Sequence, residues 1–289
     1  MSRPPSAFFR GAREMSPALS LLLLLPFLVV LFIAFLLPVG VLLHESLFVP
    51  AATLEHYARV FDEPVYLRVL WRTIRIAALV TAICLVLGYP LAVAMARARG
   101  VALLLLAACV MLPLWTSVLV RTYAWTVLMR RNGLINDLLI GLGFTDAPVR
   151  LLYTEGAVVV AMAHVLLPFM VLPLWTALRA IPTDYARAAA ILGARPLRSF
   201  VEVTLPLSLP GVASGSLMVF LLALGFFVTP ALVGGPQQMM IATLISQQVR
   251  ELLNWPFAGA LVGCLLLLTL VLVAFFNRAM RLDRFVASS

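Results

Sequence analysis

The sequence predicts an all-α, polytopic membrane protein with six transmembrane helices. Three observations carry this. Hydrophobic residues make up 63% of the chain and charged residues only 11%, which is not the balance of a soluble domain. Six apolar runs, at 18–43, 73–96, 101–120, 157–178, 211–232 and 257–276, reach the roughly 20 residues that cross a bilayer. No stretch between them is long enough to fold alone. In lipid, backbone groups must be paired within a helix or a closed barrel, and continuous apolar runs select the helix. The division expected is an N-terminal segment at 1–17, a membrane domain at 18–278 and a C-terminal tail at 279–289.

The first run follows Arg3, Arg10 and Arg13 and is 26 residues long. A cleavable signal peptide has a shorter apolar core and small residues at its exit. Here Pro38, His44 and Glu45 come next, so the first run reads as a retained helix. All 21 basic residues are Arg and the net charge is +9. With six spans and an inside N-terminus, the inner segments carry twelve Arg against four acids, and the outer segments nine Arg against eight acids. This positive-inside bias places both termini in the cytoplasm. It also accounts for the basic charge without nucleic acid.

The outer segments differ. Residues 44–72 read as a polar loop, with Asp62-Glu63-Pro64 as a breaker. Residues 121–156 read as a short interfacial helix followed by irregular chain. Residues 233–256 hold Gly234-Gly235-Pro236 and then Gln237, Gln238, Gln247 and Gln248. Pro26, Pro38, Pro90, Pro113, Pro168, Pro173 and Pro230 fall inside runs, where lined cavities or neighbouring helices re-satisfy freed carbonyls. Cys84, Cys109 and Cys264 lack metal-ligand spacing and read as small buried hydrophobes.

Between the fourth and fifth runs lies DYARAAAILGARPLRSFVEVTLP, residues 184–206. Pro182-Thr183-Asp184 suits a helix start, with Thr183 or Asp184 as cap. Residues 185–192 then make two helical turns. Gly193 suits a left-handed residue past the helix end, and Pro196 opens a second short helix, 197–203, set at an angle. Ala188 and Ala189 allow a partner close to the backbone, while Ile191, Leu192 and Leu197 offer apolar knobs.

The spacing Ala188-Ala189, Gly193, Val203, Leu205-Pro206 resembles the EAA loop of ATP-binding-cassette (ABC) importer permeases. LPLWTSVLVRTYAWTVLMRRNGLIN (112–136), LLPFMVLPLWTALRAIP (166–182), TLPLSLPGVASGSL (204–217), FVTPALVGGP (227–236) and NWPFAGAL (254–261) look like the spermidine/putrescine-type branch. The similarity runs from about Tyr66 to the last span. It implies a type I ABC importer permease (MetI-like) bundle, with a permease core at about 66–278 in the bacterial inner membrane. It also implies an ABC ATPase dimer that holds ATP and Mg, a second homologous permease, a periplasmic substrate-binding protein, and membrane lipid as surroundings. The coupling residues implied are Asp184, Arg187, Ala188, Ala189, Gly193, Val203, Leu205 and Pro206. ATPase closure would swing the paired bundles from inward- to outward-facing through this loop. The branch carries polyamines, opines, aminophosphonates and other small organic ions.

Two departures stand out. Arg187 occupies the family's Glu position, so a charge pair made there is absent or reversed. Phe226 stands where polyamine-type members carry Asp, and none of the six runs contains Asp or Glu, although a polycation needs carboxylates in a low-dielectric path. Candidate path residues are Trp115, Thr116, Ser117, Tyr123, Trp125, Phe226 and Thr229. Aromatic faces hold organic cations, and Trp and Tyr also form interfacial belts. Arg121 reads as a snorkelling anchor, with an anionic ligand as the second reading. His164 is the ionisable group deep in a run: either a functional residue or one bonded to a neighbouring carbonyl.

Other functions fit less well. An ion-coupled secondary carrier usually needs intramembrane carboxylates or repeats, and the sequence shows neither. It offers no metal cluster or nucleophile motif for an enzyme, and without Lys it has no Walker A loop. Catalytic and metal-binding residues are therefore expected to be absent, as are cofactors in this chain.

Overall fold

In the computed structural model, residues 17–286 are described, with side-chain surroundings for 23–278. Arg3, Arg10, Arg13, most of the expected N-terminal segment and the side chains of the C-terminal tail lie outside the described residues. Thirteen α-helices follow one another among the described residues: α1 (Pro17–Leu31), α2 (Leu37–Phe48), α3 (Glu55–Asp62), α4 (Pro64–Arg97), α5 (Gly100–Trp115), α6 (Val118–Leu128), α7 (Leu134–Gly141), α8 (Glu155–Ala180), α9 (Thr183–Ile191), α10 (Pro196–Ser199), α11 (Leu205–Leu224), α12 (Ile241–Arg250) and α13 (Trp255–Val286). Among the described residues, five helices are long and apolar enough to span, and the pair α5–α6, bent by 98°, has the combined length and composition of a broken sixth span.

Proline explains most departures from straight spans. It has no N–H, and its ring crowds the carbonyl four residues back. Two wide π turns, Phe32–Leu36 and Phe200–Thr204, each stand just before a Leu-Pro pair, Leu37-Pro38 and Leu205-Pro206. Widening the turn lets the helix continue past the ring. Pro196 to Leu224 is consequently one 29-residue helix. The second short helix expected at 197–203 is thus the start of the fifth span, not a separate element. That span also ends early: the expected run to 232 stops at Leu224, the chain is non-helical at Gly225–Phe227, and a π turn follows at Pro230–Gly234.

The third span breaks for a related reason. After Pro113, Thr116 and Ser117 take extended backbone, and Thr116 Oγ1 donates to the Pro113 carbonyl at 2.8 Å. The outer segments hold more helix than expected. The polar loop at 44–72 contains α3 and the first nine residues of α4. The segment after the bend holds α6 and α7, and the last loop holds α12.

The core is a sandwich of α4, α8 and α11. Ile76, Val80 and Cys84 of α4 meet Met162, Leu166, Met170 and Leu174 of α8, with Val219 and Leu224 of α11. Lipid gives helices no hydrophobic reason to associate, so close packing must hold them. Gly215 supplies it: a Cβ there would lie 2.9 Å from Met170 Sδ and 3.1 Å from the Met170 carbonyl oxygen. Gly259 likewise lets α13 rest on the Leu42 backbone of α2. Residues 23–38 of the first span are exposed. Cys84 is buried as expected, but Cys264 is half-buried and Cys109 exposed, contrary to expectation.

One buried polar side chain ties α4 to the start of α12. Thr73 Oγ1 donates to the Val69 carbonyl at 2.8 Å and accepts from the Ile241 N–H at 2.9 Å. It thereby satisfies an orphan donor at the start of α12.

Two substitutions test this packing by thermal unfolding of the purified chain in detergent. Gly215→Val should cost about 1–3 kcal/mol by overpacking. Thr73→Val should cost about 1–3 kcal/mol by stranding the Ile241 N–H, whereas Thr73→Ser should stay near wild type.

Candidate functional site

The first site is the segment joining α8 to α11. Pro182 has the extended backbone of an N-cap and the helix starts at Thr183. Neither Thr183 nor Asp184 caps it by side chain, contrary to expectation, because both already lie inside the first turn. Asp184 still benefits there from the positive end of the helix dipole. The far end closes as the sequence requires: Gly193 adopts φ +81°. The Gly193 N–H donates to the Ala190 carbonyl and the Ala194 N–H to the Ala189 carbonyl, each at 3.0 Å. These are the paired bonds of a Schellman motif, which a residue with a Cβ enters only under strain.

Helix α9 buries none of its residues. Ile191 and Leu192 are both 87% exposed, and Leu197 75%. Beside them, a groove of about 440 Å³ runs between α9 and the start of α11, lined by Tyr185, Ala188, Ala189, Leu192, Glu202, Val203, Pro206 and Leu207. The structure thus brings Ala188, Ala189, Val203 and Pro206 to one surface. Leu205 is half-buried and does not line the groove, and Gly193 makes the turn that ends α9. Arg187 Nη1 donates to Asp184 Oδ1 at 3.1 Å, and Arg198 Nε donates to Glu202 Oε1 at 2.8 Å. Both acids of the segment are therefore paired inside it. Such exposed pairs contribute only about 0.2–1 kcal/mol each, but they leave apolar contact as the main thing the surface offers.

The second site is where two spans break. Trp115 is 84% exposed at the end of α5 and Tyr123 is exposed on α6. Thr116 and Ser117 form the bend, and the Ser117 side chain makes no cap bond. Trp125 is half-buried, and its Nε1 donates to His164 Nδ1 at 3.2 Å. Thr229 is fully buried and shares a 3.0 Å hydroxyl–hydroxyl bond with Thr122 of α6. This bond fastens the α5–α6 bend to the break after α11, where Phe226 is half-buried. His164 is bonded to an indole instead of a neighbouring carbonyl. Arg121 is not a snorkelling anchor: it is buried at 9% exposure, because its helix turns back against the bundle instead of ending at the surface.

Sequence reasoning missed Thr122, whose neighbours across the fold are remote in sequence. It also missed a cavity of about 380 Å³ where α4, α8 and α9 meet, lined by Arg97, Arg99 and Arg179 among others. Arginines at three successive span ends were the available signal. Among the described residues, no cluster of His, Cys, Asp and Glu could hold a metal ion.

Comparison with known proteins agrees with this layout. Residues 7–282 match the family model "Binding-protein-dependent transport system inner membrane component". The chain is 35% identical over 262 residues to the spermidine/putrescine transport system permease protein PotB of Haemophilus influenzae, covering 90% of each chain. It is 35% identical over 201 residues to the molybdenum transport system permease protein ModB of Mycobacterium bovis, covering 70% of this chain and 74% of that one. In fold it is similar to a chain of a bacterial ABC transporter that imports the acidic polysaccharide alginate, with a TM-score of 0.72 and 18% identity over 91% of this chain and 95% of that one. The all-α, multi-pass bundle, its match over nearly the whole chain and its exposed loop helix lead to one conclusion: the chain belongs to the family of binding-protein-dependent transport system inner membrane components, as a permease subunit of an ABC importer.

Proposed function

We propose that this chain forms half of the translocation path for a small organic ion, beside a second, homologous permease. A periplasmic binding protein delivers the ion; the solved alginate importer in complex with its periplasmic protein, similar in fold, supports that arrangement. Both termini lie in the cytoplasm, as the arginine bias favours. An ABC ATPase dimer there binds ATP and Mg and hydrolyses the nucleotide, so this chain needs no cofactor.

The observation that carries the reading is the fully unburied α9. Its two apolar side chains at the Gly193 turn have no reason to face water unless a partner covers them. The groove beside them accepts an apolar projection of the ATPase, and Ala188 lets that projection approach the backbone. Movement of α9 then passes to α11 through the π turn at Phe200–Thr204. Relatives are named for spermidine and putrescine and for molybdenum, so membership of the family leaves the sign of the cargo's charge open between polyamine-like and other small ions.

Co-purification from the native membrane tests the assembly. The ATPase and a second permease should come with the wild-type chain, and recovery of a lone, transport-competent chain would overturn the reading. Leu192→Asp should reduce ATPase recovery at least tenfold. Gly193→Val should strain the turn by about 1–2 kcal/mol and uncouple ATP hydrolysis from uptake; normal coupling in that variant would remove the loop from the mechanism. Arg187→Ala should leave ATPase recovery within about twofold of wild type, since its partner Asp184 is in its own chain and so exposed a pair is weak.

A further inference from the structure

The bend between α5 and α6 holds a cation with no counter-charge. Arg121 is 9% exposed, and its Nε and Nη1 have no hydrogen-bond partner among the described residues. It is the fourth residue of α6, close to the positive end of the helix dipole, where a cation is disfavoured. Burial, missing partners and dipole all oppose the charge, and such a group inside a membrane domain marks a ligand or ion site unless something pairs with it.

The surroundings offer hydrogen-bond donors and no carboxylate. Trp125 lies one turn from Arg121 on the same face of α6 and donates to His164 Nδ1. An indole N–H can only donate, so Nδ1 must accept, and the neutral imidazole keeps its proton on Nε2. His164 is exposed in mid-α8, so that second N–H is available. The first N–H groups of α6 add orphan donors, since Ser117 does not cap them with its side chain. Carboxylates are missing: α4, α5, α6 and α11 contain no Asp or Glu. The one acid of α8, Glu155, is its first residue and is bonded to Arg75. The Thr122–Thr229 bond brings the break after α11 to the same place, so two broken helices frame it, an arrangement suited to binding a solute at depth.

We propose that Arg121, with His164 and the start of α6, receives an acidic group of the transported solute, a carboxylate or a phosphonate. The site rests on the importer reading and narrows its cargo to acid-bearing organic ions, against a simple polycation. Phe226 and the lack of Asp and Glu in α4, α5, α6 and α11 agree with this, because these helices offer a dication no carboxylate.

The test uses the complete importer in proteoliposomes, with its ATPase, second permease and binding protein. The probes are aspartate, succinate and 2-aminoethylphosphonate as acid-bearing solutes, and putrescine as a dication. At least one acid-bearing probe should accumulate in preference to putrescine. Arg121→Gln should lower that uptake at least tenfold, mainly by raising the half-saturating concentration, with all subunits still co-purifying; Arg121→Lys should recover much of it. Uptake of putrescine alone, uptake of none of the acid-bearing probes, or unchanged uptake by Arg121→Gln overturns the proposal. Loss of the second permease from the Arg121→Gln complex also overturns it, because the residue then pairs with that subunit. Failure of the wild-type chain to recover any ATPase strikes the importer reading instead, before any solute is tested.

Discussion

A proline inside a span removes a backbone donor where no water can replace it, and the breaks and wide turns of this bundle stand beside four of them. A carbonyl left unpaired in hydrocarbon is costly. Before Leu37-Pro38 and Leu205-Pro206 the helix widens by a π turn and continues. At Pro113 it does not continue: the Pro113 carbonyl accepts from Thr116 Oγ1 at the helix end and the chain turns by 98°. Near Pro230 the helix stops at Leu224 and restarts as a π turn. The first two solutions keep rods intact. The last two create the irregular backbone around which polar side chains gather.

Helix α8 makes this tolerable. Its buried face is dense with Met162, Leu166, Met170 and Leu174, and the glycines of α4 and α11 let those helices approach it: a Cβ at Gly88 would meet Met170 Cγ at 3.1 Å. Flexible Met side chains fill the irregular gaps that kinked neighbours leave. The opposite face of α8 is open at Val160 and His164. One helix thus anchors the core and presents the polar site, so the site is held on a rigid element while α6 supplies its variable part.

Most of the fold was legible because the strongest signals are local. Apolar run length located the spans, without the break in the third or the early end of the fifth, and the 184–206 spacing located the Gly193 turn. The misses share a cause. Whether Pro206 breaks a helix or is accommodated depends on a π turn five residues wide, which leaves no trace in hydrophobic periodicity. Whether Arg121 anchors at a surface or is buried depends on the direction α6 takes after a bend. Thr122 and Thr229 are 107 residues apart in the chain, and only the folded bundle pairs them.

The continuity of α10 with α11 has a mechanical consequence. At 1.5 Å per residue, the 29 residues from Pro196 to Leu224 make a rod of about 43 Å. One end borders the α9 groove and the other meets the break that the Thr122–Thr229 bond joins to α6. Gly211 and Gly215 lay the middle of the rod against the α8 backbone, where a Cβ would meet Pro173 O at 3.0 Å and Met170 O at 3.1 Å. A rod held this closely at its middle behaves as a lever about that contact, since packed helices slide or pivot but compress little. In the proposed importer, a displacement imposed at α9 by the ATPase therefore need not pass through a chain of side-chain rearrangements. It reaches the Arg121 site as movement of the far end of one helix, and the two breaks are the places where the bundle can yield to it.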